Sequence, residues 1–182
     1  MCIIQTERLQ LCHLCLDDAE FVLNLVNDPG WIRFIGDRGI HSMGQAEAYL
    51  QDGPMASYAA NGFGLYLVRR KADGQRLGMC GLLKRPSLPH VDIGFAFLAE
   101  FTGQGYGFEA ATAVLHHARH QLNLSPILAI VKPDNLPSIK LLEKLALKFQ
   151  RRLFLDDSQN ELLLYSSESD PGVSRWHEEQ NS

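Results

Sequence analysis

The chain has 182 residues, 46% of them hydrophobic and 21% charged, and a net charge of −4. A chain of this length closes one domain and buries roughly 70% of its unfolded surface, so its core needs no disulfides, and its apolar runs are too short to span a bilayer. Residues 156 to 182 carry seven acidic side chains against one arginine, leaving 16 basic and 14 acidic residues ahead of them, and this near-neutral remainder lacks the dense basic stripe of a general nucleic-acid binder.

The opening MCIIQTERLQL has neither the basic start nor the apolar stretch of a signal peptide, so the expected location is the cytoplasm, with no membrane partner. Alternation in RLQLCHL predicts a first strand. LDDAEFVLNLVNDPG follows as an amphipathic helix, with acids near its start and a stop at Asp28-Pro29-Gly30. Residues 42 to 61 read as a second helical stretch, broken at Gly53-Pro54. The period then changes: GFGLYLVRR and RLGMCGLLKR form a hairpin with Asp73-Gly74 at its turn. The loop PSLPH leads into VDIGFAFL, a further strand.

After the glycine-rich TGQGYGFEA comes a helix with Ala110, Ala111, Val114, Leu115 and Ala118 on one face, and then the short strand PILAIV. KPDNLPSIKLLEKLALK enters a helix at about Pro137, with Ile139, Leu142 and Leu145 at helical spacing. FQRRLFL and ELLLYS close the fold as two strands around DDSQN. Residues 167 to 182 are polar and acidic and read as a loose tail, leaving residues 1 to 166 as the working domain. The expected architecture is α/β of the α+β kind: one mixed, largely antiparallel central sheet of about six or seven strands flanked by about four helices.

Cys12 and Cys15 make a C-x-x-C, but a zinc site needs a second ligand pair that Cys2 and Cys80 do not offer at the usual spacing. These thiols are expected to be buried or incidental. His116, His117 and His120 include an i, i+4 pair with no third ligand in view, so no metal is expected. Trp31, Phe34 and Tyr49 suit core packing.

The glycines at 103, 105 and 107 precede a helix start. A helix N-terminus carries unpaired N–H groups and about half a positive charge, and glycines clear the approach, so successive amides can turn inward on an anion such as a pyrophosphate. Two familiar phosphate loops fail on spacing. The Walker loop needs Gly-Lys-Ser/Thr where Phe108 stands, and the dinucleotide fingerprint needs a glycine at that same position and an acid about twenty residues on, where QLNLS has none. Glu109 suits the helix dipole but would repel phosphate if aimed at it, so it is expected to point away and stabilise the turn. Thirty residues later Asn135 and Ser138 stand at a helix start, able either to cap it or to reach a ligand beside the preceding strand.

DIGFAFLAEFTGQGYGFEAATAVLHHA followed by IVKPDNLPSIKLLEKL resembles the GNAT acyltransferase superfamily, in the branch of the bacterial N-terminal acetyltransferases of ribosomal proteins. TERLQL and DDAEFVLNLVNDPGWIRFIG also match that branch, so the resemblance covers about residues 5 to 166. It implies acetyl-CoA as co-substrate. The amides of Gly103, Gln104, Gly105, Tyr106, Gly107 and Phe108 would hold its pyrophosphate, the strand end at Phe97 and Leu98 would pair with the pantetheine arm, and Asn135 and Ser138 would line that arm near the sulfur. Four positions depart from the pattern. Thr102 replaces a glutamine or arginine, Ala146-Leu147 a glycine-aromatic pair, Cys12 a common arginine, and Leu142 the tyrosine that serves many members as general acid.

Transfer from a thioester to an amine needs a neutral amine, close approach, a donor for the carbonyl oxyanion and a proton for the departing sulfur. The resemblance suggests the Leu98 N–H as oxyanion donor and Asp92 as base, with Glu100 as the second candidate; Asp92 is equally open to pairing with Arg85. Ser138, or a water held by Asn135, would protonate the thiolate. The implied activity is N-acetylation of a protein N-terminal α-amine or a small amine by a monomer or homodimer. The alternative is a catalytically weak acyl-CoA binding protein.

Overall fold

The computed structural model describes residues 1–155 and 159–168, so the expected tail falls, from residue 169 on, outside the described residues. It contains β1 (Cys2–Gln5), β2 (Leu9–His13), β3 (Leu65–Arg70), β4 (Arg76–Leu83), β5 (Asp92–Phe97), β6 (Leu128–Val131), β7 (Lys148–Leu153) and β8 (Leu162–Ser166). Their hydrogen-bonding order is β1-β2-β3-β4-β5-β6-β8-β7. The β5–β6 pair is parallel, whereas β1–β2, β2–β3, β3–β4, β6–β8 and β7–β8 are antiparallel. The architecture is the expected mixed α/β sheet, with eight strands among the described residues against the six or seven anticipated.

The uncounted strand is β1. Four residues show too little alternation to stand out, and β1 forms because the Thr6-Glu7-Arg8 turn folds it back on β2. Thr6 closes that turn, its N–H donating to the Leu9 carbonyl and its Oγ1 accepting from the Leu9 N–H, both at 3.0 Å. Cys2 lies opposite Cys12 in the ladder, and the two form a disulfide. The expectation of incidental thiols therefore fails for Cys12, whose partner is Cys2 and not Cys15. Cys15 is free and exposed, Cys80 free and buried.

The helices among the described residues also exceed the expected four. α1 (Ala19–Val26) ends where expected, but Asp28-Pro29 starts α2 (Pro29–Phe34) as well as stopping α1. Asp28 caps α2 by accepting from the Gly30 N–H at 3.0 Å, and proline is tolerated in a first turn because its missing N–H has no partner there. The second stretch is not broken at Gly53-Pro54. α3 (Met43–Leu50) runs through a wide π turn, Gln51–Met55, into α4 (Ala56–Asn61), with the Ala56 N–H donating to the Gln51 carbonyl five residues back. The wider turn relieves the proline's clash with the preceding carbonyls. α5 (Tyr106–His120) and α6 (Leu136–Lys144) match the expected helices, and the predicted face of α5 is buried at all five positions.

The chain divides into two compact units. The first comprises Met1–Leu83 with Gly94–Val114, the second Lys84–Ile93 with Leu115–Ser182. In the first, Val22, Leu25, Trp31, Leu50, Leu67 and Met79 form the centre of a core on which Ala96 and Leu98 pack. In the second, Leu88, Leu128, Leu153 and Leu164 form a smaller cluster. No helix among the described residues is long and apolar enough to cross a membrane.

Candidate active site

In the first unit, β5 delivers Phe97 and Leu98 to a single 3-10 turn, Ala99–Phe101, which runs into the glycine loop and α5. The close approach of β4 is what sets the strand end. A Cβ on Gly78 would lie 2.2 Å from the Ala96 carbonyl oxygen and 2.8 Å from the Phe97 Cα, so only glycine lets β5 come this near. The Leu98 N–H donates to the Leu77 carbonyl at 3.0 Å. The N–H expected as the oxyanion donor is thus engaged by β4 in this structure. The Leu98 carbonyl accepts from the Phe101 N–H at 2.9 Å, within the 3-10 turn. The turn itself is braced by Asp28, whose Oδ2 accepts from the Ala99 N–H at 3.3 Å. Glu100 is exposed on this turn.

Gly103 and Gly105 have φ of +73° and +82°, the left-handed region that side chains disfavour. A Cβ on Gly103 would meet nothing within 4 Å, so that flank of the loop is open. Tyr106 is buried, Gly107 and Phe108 half-buried, and the first-turn amides of α5 have no carbonyl four residues back within the helix. A multiply charged anion fits such a cradle.

Glu109 does not face this opening unpaired. Its Oε1 accepts from Thr6 Oγ1 at 2.6 Å and from the Arg8 N–H at 2.8 Å, and its Oε2 accepts from Arg8 Nε at 2.7 Å. Burial acts to raise its pKa, but these hydrogen bonds and the Arg8 charge hold it below the ordinary carboxylate value. Arg8 also donates through Nη1 to the Gln104 carbonyl at 3.1 Å and lies 4.4 Å from the centre of the Tyr106 ring. Sequence reasoning gave Thr6 and Arg8 no role. TERL was visible as a pattern, but a pair 101 residues apart leaves no local trace.

In the second unit, Asp92 opens β5 and is 1% exposed. Arg85 Nε donates to its Oδ1 at 3.1 Å and to its Oδ2 at 3.2 Å. Burial pushes the carboxyl up to about 6, against the pull of Arg85. Of the two roles open to Asp92, the pairing is the one with a contact. Asn135 caps α6, its Oδ1 accepting from the Ser138 N–H at 3.3 Å, and half-buried Ser138 stands in the first turn. Leu142 is buried apolar packing. Ala146, where the resemblance has glycine, adopts φ +64°.

Trp31 packs in the core of the first unit, with Tyr49 partly buried against that core and Phe34 half-buried beneath Arg33. The rings of His116 and His120 lie 4.4 Å apart, and no group of three metal-ligating side chains occurs among the described residues.

Residues 8–148 match the family described as the acetyltransferase (GNAT) domain. An uncharacterised N-acetyltransferase of Bacillus subtilis, YnaD, is 33% identical over 145 residues, covering 80% of this chain and 82% of that protein. An acetyltransferase structure from Agrobacterium tumefaciens superposes with a TM-score of 0.78 at 22% identity over 93% of this chain and 95% of that one. RimL, a ribosomal L7/L12 α-N-protein acetyltransferase solved with coenzyme A, superposes with a TM-score of 0.76 at 15% identity, covering 91% and 97%. The chain thus belongs to the GNAT acetyltransferase family.

Proposed function

We propose that this protein transfers the acetyl group of acetyl-CoA to a primary amine, a protein N-terminal α-amine or a small amine, by direct attack within a ternary complex. The observation that carries the reading is the loop with left-handed Gly103 and Gly105, open at Gly103 and leading into the N-terminus of α5, in a chain of this family. The amides of Gly103 to Phe108 hold the pyrophosphate, and the pantetheine arm pairs along the end of β5. Phe97 supplies the backbone groups for that pairing, since the Leu98 N–H serves β4 and the Leu98 carbonyl accepts from the Phe101 N–H.

A base must come within hydrogen-bond reach of the amine, directly or through one water. Glu100, exposed beside the strand end, meets that condition better than Asp92, which is closed to solvent and engaged by Arg85. Ser138, or a water held at Asn135, protonates the departing thiolate. An α-amine with a pKa near 8 is about 10% neutral at pH 7, whereas a lysine near 10.4 is below about 0.1% neutral, so a modest catalytic set suits the α-amine better.

A second reading, an acyl-CoA binding protein of weak turnover, is favoured by the engaged Leu98 N–H and by Leu142 in place of a proton donor. Calorimetric titration with acetyl-CoA, beside a Gly105→Glu variant that puts a charged side chain at φ +82°, tests the shared premise. Binding lost in the variant supports it, and no binding by the unmodified protein removes both readings. Release of free thiol above background across a panel of amines selects the enzyme; none selects the binding protein.

A further inference from the structure

Arg8 reaches the glycine loop from the β1–β2 turn, and its contacts there are directional. Nη1 takes the Gln104 carbonyl, Nε takes Glu109, and Nη2 lies 3.3 Å from where a Cβ on Gly105 would stand. The 104–105 peptide is trans, since the only cis bond among the described residues is Ser125-Pro126. In a trans peptide the C=O and the following N–H point in opposite directions. A Gln104 carbonyl held on Arg8 therefore aims the Gly105 N–H away from Arg8. The same guanidinium neutralises Glu109, the one carboxylate in the first turn of α5. The turn bearing Arg8 is itself tied down. Lys71 donates through its N–H to the Arg8 carbonyl at 2.9 Å and through Nζ to the Thr6 carbonyl.

We propose that Arg8 is a positioning residue for the pyrophosphate of acetyl-CoA: it orients the Gly105 amide through the Gln104 carbonyl and removes the charge of Glu109 from the loop, without contacting the cofactor itself. The inference rests on the acetyl-CoA reading given above. It predicts a defect confined to ligands that carry the pyrophosphate. Arg8→Ala should weaken coenzyme A binding by about tenfold, the worth of one hydrogen bond to a charged group, and raise KM for acetyl-CoA in proportion with kcat within about twofold. With S-acetylpantetheine, which has the arm and thioester but no pyrophosphate, the variant and the unmodified protein should share one kcat/KM. Adding Glu109→Gln to Arg8→Ala should recover part of the lost coenzyme A affinity by removing the released charge.

Equal coenzyme A affinity in Arg8→Ala and the unmodified protein overturns the role of Arg8, and so does an equal loss with S-acetylpantetheine, which would mark a general structural defect. If Arg8→Ala does not fold, Arg8→Lys serves. One ammonium cannot reproduce the two-pronged hold on Glu109 and Gln104, so the same selective loss is expected at a smaller size, and an unchanged affinity overturns the proposal. Absence of coenzyme A binding by the unmodified protein would instead overturn the acetyl-CoA reading on which the inference stands.

Discussion

Asp92 is a carboxylate closed off from water with a single arginine on it, and its titration has consequences for stability and for catalysis. Its folded pKa of about 6 lies above the ordinary value of about 3.9, so the folded chain binds the extra proton between the two. The resulting stabilisation is complete below about pH 4 and is lost as pH rises through about 6. Asp92→Asn removes this dependence. The melting temperature of the variant relative to the unmodified protein should become more favourable from about pH 4.5 to about pH 7, and a constant difference would show that Asp92 does not titrate in that window. Glu100 is tested by activity. At pH 7 most of an amine acceptor must lose a proton, whereas at pH 9 less of it must. Glu100→Gln should therefore cut kcat/KM by about 10²-fold near pH 7 and distinctly less near pH 9, and equal losses would dismiss it as the base.

At the scale of elements, two glycine-type positions make opposite predictions. Gly78 of β4 sits against backbone that cannot yield, 2.2 Å from the Ala96 oxygen, so Gly78→Ala should destabilise by about 3 kcal/mol, the upper end for overpacking. That corresponds to roughly 6–12 °C in melting temperature, and a smaller shift would mean that β5 moves aside. Ala146, just past α6, carries a side chain at φ +64°, where an L-residue costs about 1–2 kcal/mol. Ala146→Gly should gain up to about 1 kcal/mol after glycine's own entropy is charged, seen as a higher melting temperature. The start of α6 was legible at about Pro137, and capping was one of the two roles open to Asn135. The continuation of α3 into α4 through Pro54 was not, because a proline specifies which hydrogen bond is lost but not whether the helix widens or stops.

For the molecule as a whole, a ligand that binds the folded chain alone raises its stability by mass action. Acetyl-CoA at a hundred times its dissociation constant should add about 2.7 kcal/mol, or roughly 5–10 °C in melting temperature. The Gly105→Glu variant should show no such rise. A rise in both proteins would place the cofactor somewhere other than the glycine loop. The match over residues 8–148 accounts for the fold and the family.

Periodicity, glycine spacing and helix-start residues are local properties, carried within windows of about a dozen residues. They were enough to determine from the sequence the mixed sheet and the buried face of α5, while the family was legible from the resemblance of longer segments. What joins distant residues depended on tertiary structure alone: the Leu98 N–H drawn onto the Leu77 carbonyl of β4, and Arg8 holding Gln104 and Glu109. A hydrogen bond or ion pair is decided by distance and direction in space. Neither is encoded in the spacing of two residues a hundred positions apart.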